Sequence, residues 1–317
     1  MTDWVKCRTA FLILSLAIWI SSIGNWGKPL VTYSSPIEVH AQQVDAEPIF
    51  FTPDSPDYTG CGGINVPVVN PAYEQEVVVL VNQERAKAGL PPLKRINELD
   101  EAARYHAADM AQDIYFEHDS YDRVNDNLEF VCSTWERINT YYPSPRAENI
   151  AAGYATPDAV MNGWMNSSGH RKNILSTSSW EIGVGYFQGG SYGSYWVQDF
   201  GRPQGRYPLI INQDAVSTDS RSVSLYIYGG WTEIRLRNDE GEWSQWMPFQ
   251  STMDWELAGG VGQHAVRAEM HTDLDASSSS DTIMLTQDEN PPTPTPTRIP
   301  VNYADFVFLP QVMNKNQ

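Results

Sequence analysis

The sequence predicts an α+β body followed by a smaller all-β one, and three observations predict it. Apolar residues recur at helical spacing through 73–114, they alternate around a glycine-rich turn at 181–201, and only short alternating runs remain over 207–286. At 317 residues the chain is long enough for about two such bodies, because single cores take roughly 100 to 200 residues.

Taken in order, residues 1–41 stand apart. Lys6 and Arg8 precede the apolar run FLILSLAIWI, and VHA at 39–41 offers a small-residue cleavage site before Gln42, the pattern of a secretory signal. A membrane anchor is the alternative, but residues 11–20 supply only half of the roughly 20 apolar residues a span needs. Cleavage would leave no transmembrane anchor and place the protein outside the cell or in its envelope. It would also remove Cys7 and leave Cys61 and Cys132, an even count for an oxidising compartment; one disulfide is the natural pairing and two free thiols the alternative. The formal charge of −18 repels nucleic acids and anionic membranes.

Residues 42–72, rich in Pro, Gly and Asp, read as an irregular lead-in. In YEQEVVVLVNQERAKAGLPPL a helical stripe of Val77, Leu80, Val81 and Ala88 ends at Gly89 before Pro91 and Pro92. A second stripe follows as Leu99, Ala103, His106, Met110 and Ile114, in which His106 is expected to be a hydrogen-bonded core residue. Ser133 and Glu136 form a capping box for a short helix beside Cys132. Thr156 and Pro157 start another helix, which should end near Asn166. The first body is expected to span 73–205, and a small β-sandwich 206–288. Trp231, Trp243, Trp246 and Trp255 in the sandwich could stack sugars or simply pack. A Pro/Thr linker at 289–300 and an apolar tail at 301–317 close the chain.

Several chemistries are excluded first. GGSYG at 189–193 matches a nucleophile elbow, but a strand pattern follows it where a helix is required, so Ser191 is a turn residue. No zinc-protease HExxH helix exists. The acidic run DSYDRVNDNLE lacks the spacing and central glycine of an EF-hand, which leaves only casual calcium binding open. His118, Glu148 and His170 remain. Each is read at an element boundary, where side chains converge in a cleft or merely cap, and two imidazoles with a carboxylate suit a divalent metal or a held water.

The ordered segments LVNQERAKAGLPPL, HAADMAQDIYFEHD, AENIAAGY, GWMNSSGHRKNIL, EIGVGY and YWVQDFG resemble the bacterial branch of the CAP superfamily, the SCP-like domain of cysteine-rich secretory, antigen 5 and pathogenesis-related proteins. The resemblance spans about 73–201 and implies an α-β-α three-layer sandwich with a central cleft. The following segment would add a small immunoglobulin- or fibronectin-like sandwich. By resemblance His118 and His170 are the cleft histidines and hold zinc or another divalent metal in some members, and Glu148 is the glutamate of a Gly-Glu-Asn motif written here with Ala147. The second family glutamate falls at Ser167, leaving Glu181 as a possible substitute. Asn149 and Ser168 could bond into the same cleft. On this reading Ser167, Ser168 and Gly169 end a helix and turn His170 toward His118, Arg171 and Lys172 face solvent, and the chain re-enters the core at Ile174.

Three functions compete. The first is a secreted binding module for a divalent metal or small apolar ligand, with the sandwich attaching it to an envelope or matrix component. The second is a hydrolase with a histidine base, Glu148 as orienter and a metal-bound water or Ser168 as nucleophile. The third is a non-catalytic extracellular scaffold.

Overall fold

A computed structural model describes residues 57–287. The expected signal segment, the linker and the apolar tail lie outside the described residues. The elements in chain order are α1 (Pro71–Lys87), β1 (Lys94–Arg95), α2 (Asn97–Gln112), β2 (Ser120–Val124), β3 (Asn127–Cys132), α3 (Thr134–Asn139), β4 (Pro145–Ala152), α4 (Pro157–Asn166), α5 (Ser168–Ile174), β5 (Glu181–Gly189) and β6 (Gly193–Gly201). They are followed by β7 (Leu209–Ile211), β8 (Ser217–Thr218), β9 (Ser222–Ile227), β10 (Glu233–Asn238), β11 (Met247–Pro248), β12 (Thr252–Glu256), β13 (Gly262–His271) and β14 (Ala276–Leu285).

One sheet of order β1-β5-β6-β4 is the middle of the first body. Its strands are covered on both faces, so alternate residues go to different cores. Ile182, Val184, Tyr186, Trp196 and Phe200 join Val77 and Val81 of α1 and Val160 and Trp164 of α4. On the other face Phe187, Tyr195 and Val197 meet Ala103, Ala107 and Met110 of α2. Gly183 and Gly185 let α2 lie directly on β5: a Cβ at Gly183 would fall 2.0 Å from the Leu99 carbonyl carbon, and one at Gly185 2.2 Å from that of Ala103. The result is helix, sheet, helix, in three layers.

Two helical expectations are corrected. α2 ends at Gln112, so Ile114 is exposed with a φ of 55°, having no place on the buried stripe. The buried face of α1 omits Ala88 and carries Glu74, Asn82 and Arg85, each bonded: Glu74 to Arg95 and Arg104, Asn82 to the Leu93 backbone, Arg85 to the Pro91 and Ile174 carbonyls. The acidic run, to which the sequence reading assigned no element, is the β2–β3 hairpin, turned by Asn125 and Asp126 with φ of 48° and 64°. Cys61 and Cys132 form a disulfide across 71 positions, which ties the lead-in to the end of β3 and in a chain-entropy model contributes about 4 kcal/mol.

The remaining strands form a five-stranded sheet, β11-β10-β13-β14-β8, and a three-stranded one, β12-β9-β7. They share a core of Leu209, Ile211, Leu225, Ile227, Ile234, Leu236, Val266 and Met270. Its tryptophans form no single platform: Trp231 packs edge-on to Tyr207, Trp255 donates to Asn238, and Trp243 and Trp246 lie against Arg235. This part is joined to the first body at β1. Lys94 bridges Asp214 and Asp281 at 2.6 and 2.5 Å, and Asn82 donates to the Gln213 carbonyl of a left-handed turn.

Candidate functional site

His118 lies in the connection between α2 and β2. Its carbonyl accepts from Thr134 Oγ1 at 2.9 Å and Arg137 Nη1 at 2.8 Å, so α3 fixes its backbone. Glu148 sits inside β4, opposite Asp199 of β6, and not at an element boundary as the sequence reading expected. Alternation sends its neighbour Asn149 to the opposite face, where it meets Gln198.

The Glu148 carboxylate is buried and both its oxygens are engaged. Oε1 is 2.7 Å from His118 Nδ1, and Oε2 accepts from the fully buried Arg137 guanidinium. Burial alone would raise this carboxyl, but Arg137, His106 and His118 outweigh it and hold it at about 2. An ionised carboxylate only accepts, so His118 Nδ1 carries the hydrogen in either protonation state. Nε2 is therefore the atom that gains or loses a proton. The hydrogen bond that His118 donates to Glu148 raises the His118 pKa, while the His118 side chain remains half exposed.

His170 approaches from α5. Asn149 Nδ2 donates to its carbonyl at 3.2 Å, and Asn173 Nδ2 bonds the Glu148 carbonyl at 3.2 Å and Asn149 Oδ1 at 2.9 Å, which ties α5 to β4. Partial burial lowers the His170 pKa, and the charge on nearby His118 lowers it further. The two imidazoles thus share one electrostatic neighbourhood, one inclined to take a proton and the other to remain neutral.

Other expected site residues are placed differently. Glu181 does not join the histidines: its carboxylate accepts from Tyr142 at 2.7 Å, and its charged surroundings are Arg206, Glu98 and Lys94. Ser168 is exposed in the first turn of α5, a helix that contains Gly169 and His170 where a turn was expected. Asn149 is a buried brace for α5. Arg171 and Lys172 are exposed and Ile174 is buried, as read. His106 is fully buried with Nε2 on the Glu117 carbonyl at 2.9 Å, also as read.

Two functional neighbours were missed. Arg137, in WERIN, was absorbed into a helix-capping reading and gives no local signal of its contact with Glu148. Asp199, in YWVQDFG, is fully buried and both its oxygens lack a hydrogen-bond partner as a carboxylate. Burial pushes its pKa well above the usual range and the adjacent Glu148 adds to this, so Asp199 keeps a proton that it can donate to Glu148. A signal for it existed: Tyr195, Val197 and Asp199 alternate in a strand buried on both faces.

Residues 78–200 match the model of the cysteine-rich secretory protein family, CAP, and this segment is a bacterial CAP domain. Among similar proteins, the uncharacterized protein YkwD of Bacillus subtilis (strain 168) is 41% identical over 41% of this chain and 47% of its own length. The uncharacterized membrane protein YlbC of the same organism is 33% identical over 40% of this chain and 34% of its own. The chain therefore spans half or less of these relatives. An extracellular SCP-domain protein of Bacillus anthracis str. Ames has a TM-score of 0.36 and 29% identity, covering 43% of this chain and 42% of that one. No described helix is long and apolar enough to cross a membrane.

Proposed function

We propose that this is a secreted CAP-domain binding module whose cleft takes a divalent transition metal, zinc foremost, on His118 Nε2 and the His170 imidazole. The observation that carries the reading is the 2.7 Å bond from His118 Nδ1 to Glu148, itself held by Arg137. A metal-binding histidine typically donates its second ring nitrogen to a carboxylate, which fixes the ring and raises its basicity. Glu148 then stands behind the ligand, because both of its oxygens are already used. Among the described residues neither imidazole belongs to a group of three His, Cys, Asp or Glu atoms spaced for one ion, so a site on the two histidines would be weak and open to water or a ligand molecule. Bound there, the ion would act as a Lewis acid.

Two further features support the binding-module reading. Exposed Phe116 and Tyr192, with ring centroids 6.0 Å apart, offer a small apolar ligand a surface two residues from His118. The all-β part, which we assign as an immunoglobulin- or fibronectin-like accessory domain from 206 onward, would mediate attachment to an envelope or matrix component. The disulfide is consistent with export. A hydrolase using His118 as base is the second reading, favoured by the same Glu148 bond; Ser168, exposed on α5, does not support a serine nucleophile.

The test is zinc titration by calorimetry on the wild type and on a His118→Ala, His170→Ala double variant. Single-site zinc uptake lost in the double variant supports the reading; equal uptake by both removes it.

A further inference from the structure

A second carboxylate cluster lies beyond the histidine cleft. Asp109 near the end of α2, Asp113 just after it and Asp122 in β2 each bring an oxygen within 4.8 Å of the other two. Asp109 is fully buried and Asp113 nearly so. Their polar contacts account for most of the set: Tyr115 donates to Asp109 Oδ2 at 2.6 Å, the Arg123 amide to Asp113 Oδ1 at 3.0 Å, Gln112 Nε2 to Asp113 Oδ2 at 3.4 Å, and the Gly60 amide to both oxygens of Asp122 at 3.0 and 3.2 Å. Asp109 Oδ1, buried, has no partner.

The chain compensates the charge only in part, through longer-range interaction of the buried Arg137 guanidinium and of His106 with Asp109. No Lys or Arg ion pair reaches the three carboxylates among the described residues, and the Arg123 guanidinium is taken up by the carbonyls of Asp113, Ile114 and Asp126. The His106 imidazole Nδ1 stands 3.9 Å from Asp109 Oδ2. Burial pushes Asp113 up to about 6, with the two neighbouring carboxylates adding to it. Clustered carboxylates whose charge is only partly met either keep protons or take up a cation.

We propose that Asp109, Asp113 and Asp122 bind a calcium ion. Oxygens within 4.8 Å of one another can be bridged by an ion at Ca–O distances of about 2.4 Å, and an all-oxygen donor set selects a hard cation over zinc. The ion would clamp the end of α2 to the β2–β3 hairpin, and through the Gly60 amide to the lead-in beside Cys61. Water completes the coordination, which places the affinity in the weak range of extracellular modules, about 0.1 to 1 mM.

Terbium, which takes the same oxygen donors, is the probe, because Tyr115 sits on Asp109 and can sensitise its emission. Tyrosine-excited terbium luminescence is expected to saturate at one ion per chain and to be displaced by calcium. Calcium is also expected to raise the melting temperature over EDTA by several degrees. Both signals should persist in the His118→Ala, His170→Ala variant and weaken at least tenfold in Asp113→Asn and Asp122→Asn. Should one aspartate variant fail to fold, the other and the wild-type titrations decide. Absence of emission and of a melting shift up to about 10 mM calcium, a range well above that affinity class, would overturn the site. Signals unchanged in the aspartate variants, or lost only in the histidine variant, would overturn it equally.

Discussion

Two carboxylate sites are buried in the layered body, and they meet the cost of burial in opposite ways. At Glu148 the chain supplies its own cation, Arg137, on one oxygen and a histidine on the other. At Asp109, Asp113 and Asp122 it supplies amides and a phenol, and among the described residues no Lys or Arg ion pair. The difference teaches that a conspicuous carboxylate in the cleft need not be a metal ligand. Glu148 supports the imidazole in front of it, whereas the aspartate cluster has no such cation in contact among the described residues and is where we propose the outside ion.

Removing the chain's own cation should break this contrast most severely. Arg137→Leu leaves Glu148 ionised and buried without its guanidinium, and unfolding by urea should show a loss of about 3 to 5 kcal/mol. It should also release the His118 carbonyl.

A gentler change separates support from ligation. Glu148→Gln keeps shape but ends the charge-assisted bond to His118, and zinc affinity by calorimetry should fall about 10- to 100-fold, as for other outer-shell partners. Its pH profile carries the sign. In the wild type His118 has a raised pKa, so protons compete with zinc up to a pH above the ordinary value of about 6.5. The Gln variant should lose uptake only at lower pH. A midpoint that does not move would mean that the carboxylate does not tune His118.

The smallest effect concerns Asp199. A carboxyl whose folded pKa is raised contributes stability that is present below its unfolded value near 3.9 and is lost as pH rises through the folded value. Asp199→Asn cannot titrate and its amide can still donate to Glu148. The variant should therefore be more stable than the wild type at pH 7, and the gain should vanish near pH 3 when melting curves are compared. Glu148 itself runs the other way: held at about 2, it contributes stability above its ordinary value that is lost as pH falls toward 2.

The layers were legible because burial writes itself as periodicity. The stripes of α1 and α2, the capping box before α3, the Pro157 start of α4 and the β5–β6 hairpin all carry local signals. β4 was not read as a strand, since AENIAA has neither β-branched enrichment nor alternation; its partner β6 imposes the conformation. The hairpin of β2 and β3 hid behind its acidic composition. His118, Glu148 and His170 were legible through family resemblance to segment motifs. Asp199 had a signal in the alternation of its strand that went unused, whereas Arg137 and the grouping of Asp109, Asp113 and Asp122 were not legible, because they depend on which elements pack together across tens of residues.

Long-range proton–nitrogen NMR of the imidazoles, recorded before and after one equivalent of zinc, addresses the cleft most directly. His118 should appear with its hydrogen on Nδ1 and a bare Nε2, and the rings of both His118 and His170 should shift when zinc is added. A bare Nδ1 on His118, or rings indifferent to the metal, would contradict the account.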